Sequence, residues 1–292
     1  MLFWLADPLR ELHPECFGEA MSIAAQARER GLRLINPPES LSNTIKSTQA
    51  ARWRAAGLPA ADCFAFRNWA EYLARLDEAV FPAIVRPDWL HSQEATHFCR
   101  TVGDAARLAA RDLLYPGVIL PFIDTRAGYV RSAPQSLWAR FFHKKRSFVF
   151  GNRTRSTHIL FSRNPIVGMD RSTFHRYHGR GRHLLPLLRF RRWDRAALAA
   201  DNDFWRNLPE QPDLMQRAAH ALELDVVAID YSTRADGSVV LWEANPYFTL
   251  DRWRTGVMPL QRRLEERIAG FTAAYADFLE ELLAGPASGS AH

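Results

Sequence analysis

Two pairs of strand-like segments, each closed by a short turn, limit what this chain can become. In the first pair, LWARFFHKKRSFVFG (137–151) and RTRSTHILFS (153–162) meet at Gly151-Asn152. Aromatic and β-branched residues on both sides of such a turn are the strongest hairpin signal in the sequence. In the second pair, DVVAIDYST (225–233) and SVVLWEANP (238–246) are joined by RADG (234–237). Two hairpins commit the chain to antiparallel sheets. The helical segments around them make the expected class α+β.

Those helices follow from apolar spacing and end signals. HPECFGEAMSIAAQARERG (13–31) predicts an amphipathic helix closed by Gly31, then a short strand, LRLIN (32–36). SLSNTIKSTQAARWRAAG (40–57) predicts a helix ending at Gly57, with Ser42 or Asn43 as N-cap. CFAF (63–66) and AIVRP (83–87) read as strands around a helix, NWAEYLARLDEAV (68–80). TVGDAARLAARDLL (101–114) predicts a helix capped by Thr101 or Asp104, and GVILPFID (117–124) an apolar strand turning polar at Asp124. Further helices are expected over DLMQRAAHALEL (213–224) and PLQRRLEERIAGFTAAYADFLEELL (259–283), before a disordered tail, 285–292. The stretch from Met169 to Asn207 is rich in His, Arg and Trp and has weak periodicity, which predicts a long loop with some helix.

Composition narrows the partners. The 292 residues are 47% hydrophobic, enough for one large or two modest cored domains. A net charge of +6 tolerates an anionic partner, either a nucleotide or a polyanion. Cys16, Cys63 and Cys99 lack metal-ligand spacing, and an odd, scattered set argues against disulfides. There is no apolar run of the roughly 20 residues a membrane span needs and no signal-peptide pattern, so a cytoplasmic protein without membrane partners is expected. HRYHGRGRH (175–183) holds three histidines among arginines that would repel a metal ion, which favours an anion-binding or solvated loop. RFRRWDR (189–195) is a single basic cluster in a chain with 32 acids, and argues against a nucleic-acid partner.

The chemistry concentrates in the second hairpin. Asp230 falls across the turn from Glu243, and Asn245 lies two residues further along the same face. Hard oxygen donors converging at a sheet end suit Mg²⁺, which keeps waters and substrate phosphates as its other ligands. The same three residues would also serve as a turn cap and two solvated strand-end groups.

This order of motifs resembles the ATP-grasp superfamily, which includes glutathione synthetase and the ligases that add glutamate to a ribosomal protein. The likeness covers roughly residues 34 to 280. It implies that Asp230, Glu243 and Asn245 hold two Mg²⁺ ions on the phosphates of ATP. INPPESLSNTIKSTQAARWRAAGLPAADCF is similar to the family's entry segment and matches Lys46 to its nucleotide-binding lysine. FPAIVRP resembles the family's second cationic strand, with Arg86 where many members have lysine. GVILPFID resembles the strand whose backbone binds adenine, at Leu120, Pro121 and Phe122, and KKRSFVFGNR resembles the strand bearing a substrate- and phosphate-facing arginine, Arg146. RPDWLHS, FIDTR, KKRSFVFGNRTRSTHILFS and WEANPYF echo a smaller group of bacterial members, whose pattern marks His158 as a substrate-side residue.

The resemblance implies two subdomains clasping a nucleotide between antiparallel sheets. Their expected bounds are a reduced N-terminal segment over 1–40, a small subdomain over 41–118 and a large one over 119–284 with an insertion at 169–207. The loop PDWLHSQEATHF lacks the glycines that let backbone N–H groups approach phosphates, so Trp89, His91 and Ser92 would have to substitute. The acid that commonly binds ribose is replaced by Lys144, with Asp124 as the stand-in. The shortened N-terminal segment leaves substrate-binding surface to the 169–207 insertion, which could cover the phosphates, to a second copy of the chain or to another partner chain. The implied activity is ATP- and Mg²⁺-dependent joining of a small-molecule or peptide carboxylate to an amine through an acyl-phosphate, with Arg146 and Arg86 as catalytic cations. A phosphotransferase on the same fold and a non-catalytic nucleotide-binding protein are the alternatives.

Overall fold

The computed structural model describes residues 1–90, 95–126, 139–168, 172, 192–248 and 258–284, without the side chains of 192–195 and 258–264. His91, Ser92, the histidines of HRYHGRGRH, residues 169–171 and 173–191 of the insertion and the 285–292 tail therefore lie outside the described residues.

Two four-stranded antiparallel sheets organise the described chain. The smaller has the order β1-β4-β2-β3, from β1 (Phe64–Phe66), β2 (Ala83–Pro87), β3 (His97–Cys99) and β4 (Gly117–Pro121). The strand β3 was not predicted, because its first two residues close the polar segment PDWLHSQEATHF, which reads as a loop. At Gly117 an added Cβ would lie 2.3 Å from the Phe66 ring, so the close packing of Phe66 on this strand requires glycine. Phe66, Tyr72, Val85 and Ile119 form the centre of this lobe's core.

The larger sheet has the order β6-β5-β7-β8, from β5 (Phe142–Phe150), β6 (Arg153–Ser162), β7 (Val226–Thr233) and β8 (Val239–Asn245). Both predicted hairpins are present, with Gly151 and Gly237 at positive φ in their turns. Because side chains alternate along a strand, β7 sends Val227, Ile229 and Tyr231 into the main core and Val226 and Ala228 to the opposite face.

The predicted helices are present with shifted ends, and a four-residue helix ahead of them was not predicted. They are α1 (Leu9–Leu12), α2 (Pro14–Glu29), α3 (Lys46–Ala55), α4 (Trp69–Arg75), α5 (Val102–Ala106), α6 (Arg192–Arg206), α7 (Pro212–Ala221) and α8 (Met258–Ala284). Residues of α6 and α7 cover one face of the large sheet, and residues of α8 cover half of the other.

Three local readings are corrected. LRLIN is not a strand; it makes one bridge, Leu2 to Ile35, and then Asn36 clasps the start of β7, its side chain bonding Val226 N and O at 3.0 and 2.6 Å. The helix expected from Ser40 is a 3₁₀ segment over Pro38–Thr44, and α3 begins only at Lys46. Neither Ser42 nor Asn43 caps it, because the Asp88 carboxylate from the end of β2 accepts Ser47 N at 2.8 Å and supplies the cap across the fold. The helix predicted over 101–114 stops at Ala106, behind a Thr101–Asp104 capping box.

Candidate active site

The two sheets face one another across a cavity of about 330 Å³. Four residues form one row across the large sheet: His158 pairs with Arg146, Arg146 with Asp230, and Asp230 with Glu243. Both outer strands are bulged beside this row. On β6 the extra residue is Thr157, whose hydroxyl donates to Arg146 O at 2.9 Å; on β8 it is Trp242.

The β8 bulge sets the site's polarity. Val239 and Leu241 point into the main core, and strict alternation would send Glu243 after them. The extra Trp242 resets the count, so that Ala244 enters the core and Glu243 lines the cavity. Trp242 also lines it, donating its indole N–H to Ser232 Oγ at 2.7 Å.

Cations reach the acids from both lobes. From the large sheet, Arg146 donates to Asp230 at 2.6 and 3.0 Å, and Lys144 donates at 2.7 Å. Burial alone would raise the Asp230 pKa, but Arg146 and Lys144 more than offset it and hold the carboxyl well below its ordinary value. From the other side of the cleft, Lys46 Nζ stands 3.7 Å from Glu243, and the Arg86 guanidinium 3.8 Å. Lys46 is almost fully buried, and burial, partly countered by Glu243, lowers its pKa to about 8. Its ammonium also donates to Leu90 O at 2.8 Å, as does Arg86 at 3.0 Å. Four cations against two carboxylates leave this end of the cavity positively charged, a setting for a polyanion.

Other expected residues fall into place unequally. Leu120, Pro121, Phe122 and His158 line the cavity. Phe122 N–H, however, is engaged by Pro82 O at 2.8 Å and Pro121 has none, so a backbone donor to a ligand here must lie beyond Phe122. Asp124 is absent from the lining, and its exposed carboxylate is held by Arg126 at 2.5 to 3.0 Å. Asn245 follows Glu243 on β8, and its Oδ1 is buried with no hydrogen-bond partner among the described residues.

No protein-family model matches the sequence, and no curated protein does. Among solved structures, the chain is similar to the ATP-grasp ligase PsnB complexed with minimal precursor, Mg and ADP. The TM-score is 0.50 at 18% identity, covering 86% of this chain and 67% of that one. The chain has the ATP-grasp fold. Looser likenesses, to VanG D-Ala:D-Ser ligase from Enterococcus faecalis and to the D-alanine-D-alanine ligase from Coxiella burnetii, have TM-scores of 0.45 and 0.44 at 13% and 12% identity. They cover 79% and 81% of this chain and 60% and 58% of those, and add no weight.

Within the ATP-grasp fold, three contributors to this site escaped sequence reasoning. Lys144 read only as a lost acid, yet it is a direct partner of Asp230. Asp88 was one residue of a loop, yet it anchors the first turn of α3 and hence Lys46. Gln49, one helical turn after Lys46, lines the cavity and bonds the backbone of Ala244. Its only sequence signal was the i, i+3 spacing from Lys46.

Proposed function

We propose that this chain is an ATP- and Mg²⁺-dependent carboxylate–amine ligase. The observation that carries the reading is the meeting of Lys46 and Arg86 with Glu243, opposite Arg146, Lys144 and Asp230, across a cleft between two sheets. The similar PsnB structure contains Mg and ADP, which agrees with a nucleotide in such a cleft.

The donor set suits Mg²⁺. Glu243 and Asn245 would hold it, with Asp230 sharing the same row; the orphaned Asn245 Oδ1 is a hard donor that a cation would satisfy. When bound, the ion would offset phosphate charge and orient the terminal phosphoryl group. The apolar wall at Leu120–Phe122 would take the adenine, and Lys46 and Arg86 the phosphates.

The proposed reaction has two steps. A substrate carboxylate oxygen bonds to the γ-phosphorus as the bond to the β-phosphate oxygen breaks, giving an acyl-phosphate and ADP. An amine then attacks the acyl carbon, the C–O bond to phosphate breaks, and the amine's proton leaves with phosphate or solvent. Lys46, Arg86 and Arg146 are fixed before the reaction and would stabilise the charge that builds on the transferring group. A second copy of the chain or a partner chain completing the substrate surface belongs to the same proposal.

Hydroxylamine provides the test. With MgATP and a panel of carboxylates, the ligase reading expects hydroxamate, ADP and inorganic phosphate in equal amounts. Phosphate retained on an organic product would identify a phosphotransferase, and ATP binding without turnover a nucleotide-binding protein.

A further inference from the structure

We infer that Gln49 is a positioning residue that holds Glu243 and Asn245 at a set distance from Lys46. Its value to a ligand rests on the ligase reading; the positioning itself rests on backbone geometry. Among the described residues β8 is the outer strand of the large sheet, so one row of its backbone groups has no strand there to pair with. Two neighbours fill that row. Pro59 O accepts Leu241 N at 2.8 Å, and the Gln49 carboxamide takes both groups of Ala244. Its Oε1 accepts Ala244 N at 3.1 Å and its Nε2 donates to Ala244 O at 3.2 Å. Ala244 is the residue between Glu243 and Asn245.

The choice of side chain is specific. A two-point amide contact fixes both the distance and the rotation of the peptide units that flank Ala244. Gln49 is 1% exposed, so water does not compete for these bonds. It shares a helix face with Lys46, which starts the same helix and stands 3.7 Å from Glu243. One turn of α3 therefore carries a cation and the clamp that sets its distance from the acid. Glutamate at 49 would turn an oxygen towards Ala244 O and break the donor half of the clamp.

Two measurements on the full chain, with Gln49→Met, Gln49→Glu and the milder Gln49→Asn, test this. Hydrogen exchange should speed up at residues 243–245 in Gln49→Met and Gln49→Glu, and less in Gln49→Asn, while the β5 and β7 amides keep their protection. ATP binding measured calorimetrically, with Mg²⁺ and with EDTA, should lose about tenfold of its Mg²⁺-dependent gain, the scale of losing an outer-shell partner of a metal ligand. Affinity for Mg²⁺-free ATP should fall by clearly less than affinity for MgATP in Gln49→Met and Gln49→Asn, since Lys46 is retained and neither variant adds charge to the cavity. Equal weakening of both affinities, or unchanged exchange at 243–245, would overturn the inference. Wild-type protein that binds no ATP at all would remove the ligase reading, and the exchange experiment would still decide the positioning.

Discussion

One face of the large sheet is divided between two kinds of residue along the same strands. On β5, Phe148 and Phe150 lie under α8, whereas Lys144 and Arg146 open into the cavity; on β7, Val226 and Ala228 contrast with Ser232, which lines the cavity, and with Asp230, which is buried and bonded to Lys144 and Arg146. The change takes one step of alternation, from Phe148 to Arg146 and from Ala228 to Asp230. The irregularities of β6 and β8 fall beside that boundary. The apolar half holds the sheet against a helix through burial. The polar half is assembled around ion pairs that contribute little net stability once desolvation is counted. Stability and chemistry are therefore carried by adjacent segments of the same two strands, and substitutions should separate them.

The largest effect should come from the polar half. Glu243→Gln should reduce Mg²⁺-dependent ATP turnover by roughly a thousandfold, the upper range for one transition-state electrostatic group. Its melting temperature should stay near that of the wild type. Wild-type turnover in this variant would remove Glu243 from the site, and a collapsed fold would erase the proposed division.

The apolar half should behave in the opposite sense. Phe150 is fully buried and packs edge-on against Phe271 at 5.3 Å between ring centres. Phe150→Ala should cost about 3–5 kcal/mol in denaturant unfolding, the usual range for emptying such a site. At temperatures where the variant is folded, nucleotide affinity should be unchanged. A matched loss of affinity would mean that the two halves are coupled.

A smaller effect is expected on the facing lobe. Lys46→Ala should weaken ATP binding by about 10- to 100-fold and leave adenosine binding near its original value, as loss of a buried charge-assisted contact implies. Equal losses for both ligands would assign Lys46 to the fold or to the base end of the cleft.

The smallest effect is a pH slope in the support under the polar half. Burial, helped by Lys145, pushes the pKa of His143 down to about 3, and its neutral ring accepts Thr233 N at 3.1 Å. The unfolded chain binds a proton that the folded chain refuses. Stability contributed here is thus present above the ordinary histidine range and is lost as pH falls from there towards 3. Urea unfolding should show a loss of up to about 1.4 kcal/mol per pH unit in that window. The loss should be reduced in His143→Gln, and an unchanged slope would assign the titration to another group.

Much of the site could be read along the chain, but only for residues whose role depends on local pattern. Asp230 opposite Glu243 follows from two strands and a turn, and the registry bears it out. The agreement depends on a feature outside that pattern: Trp242 had to be the extra residue for Glu243 to share a face with Asp230. Asp124 looked suitable because it follows the apolar strand, yet it pairs with Arg126 two residues away and does not line the cavity. The helix cap failed for a related reason, since propensity favours Ser42 or Asn43 while the acceptor comes from Asp88, forty-one residues beyond Ser47.

The sequence by itself determined the two hairpins, most helices, the antiparallel sheets and the acids at the end of the second hairpin. Alternation, turn residues and end signals act over a few residues and survive in any context. Tertiary structure alone decided that Lys46 and Arg86 meet Glu243, that Lys144 joins Arg146 on Asp230, and that Gln49 grips the edge of β8. Those pairings join residues up to about two hundred positions apart in sequence. No local period records them, because each exists only after distant strands and helices have been brought together by the folded chain.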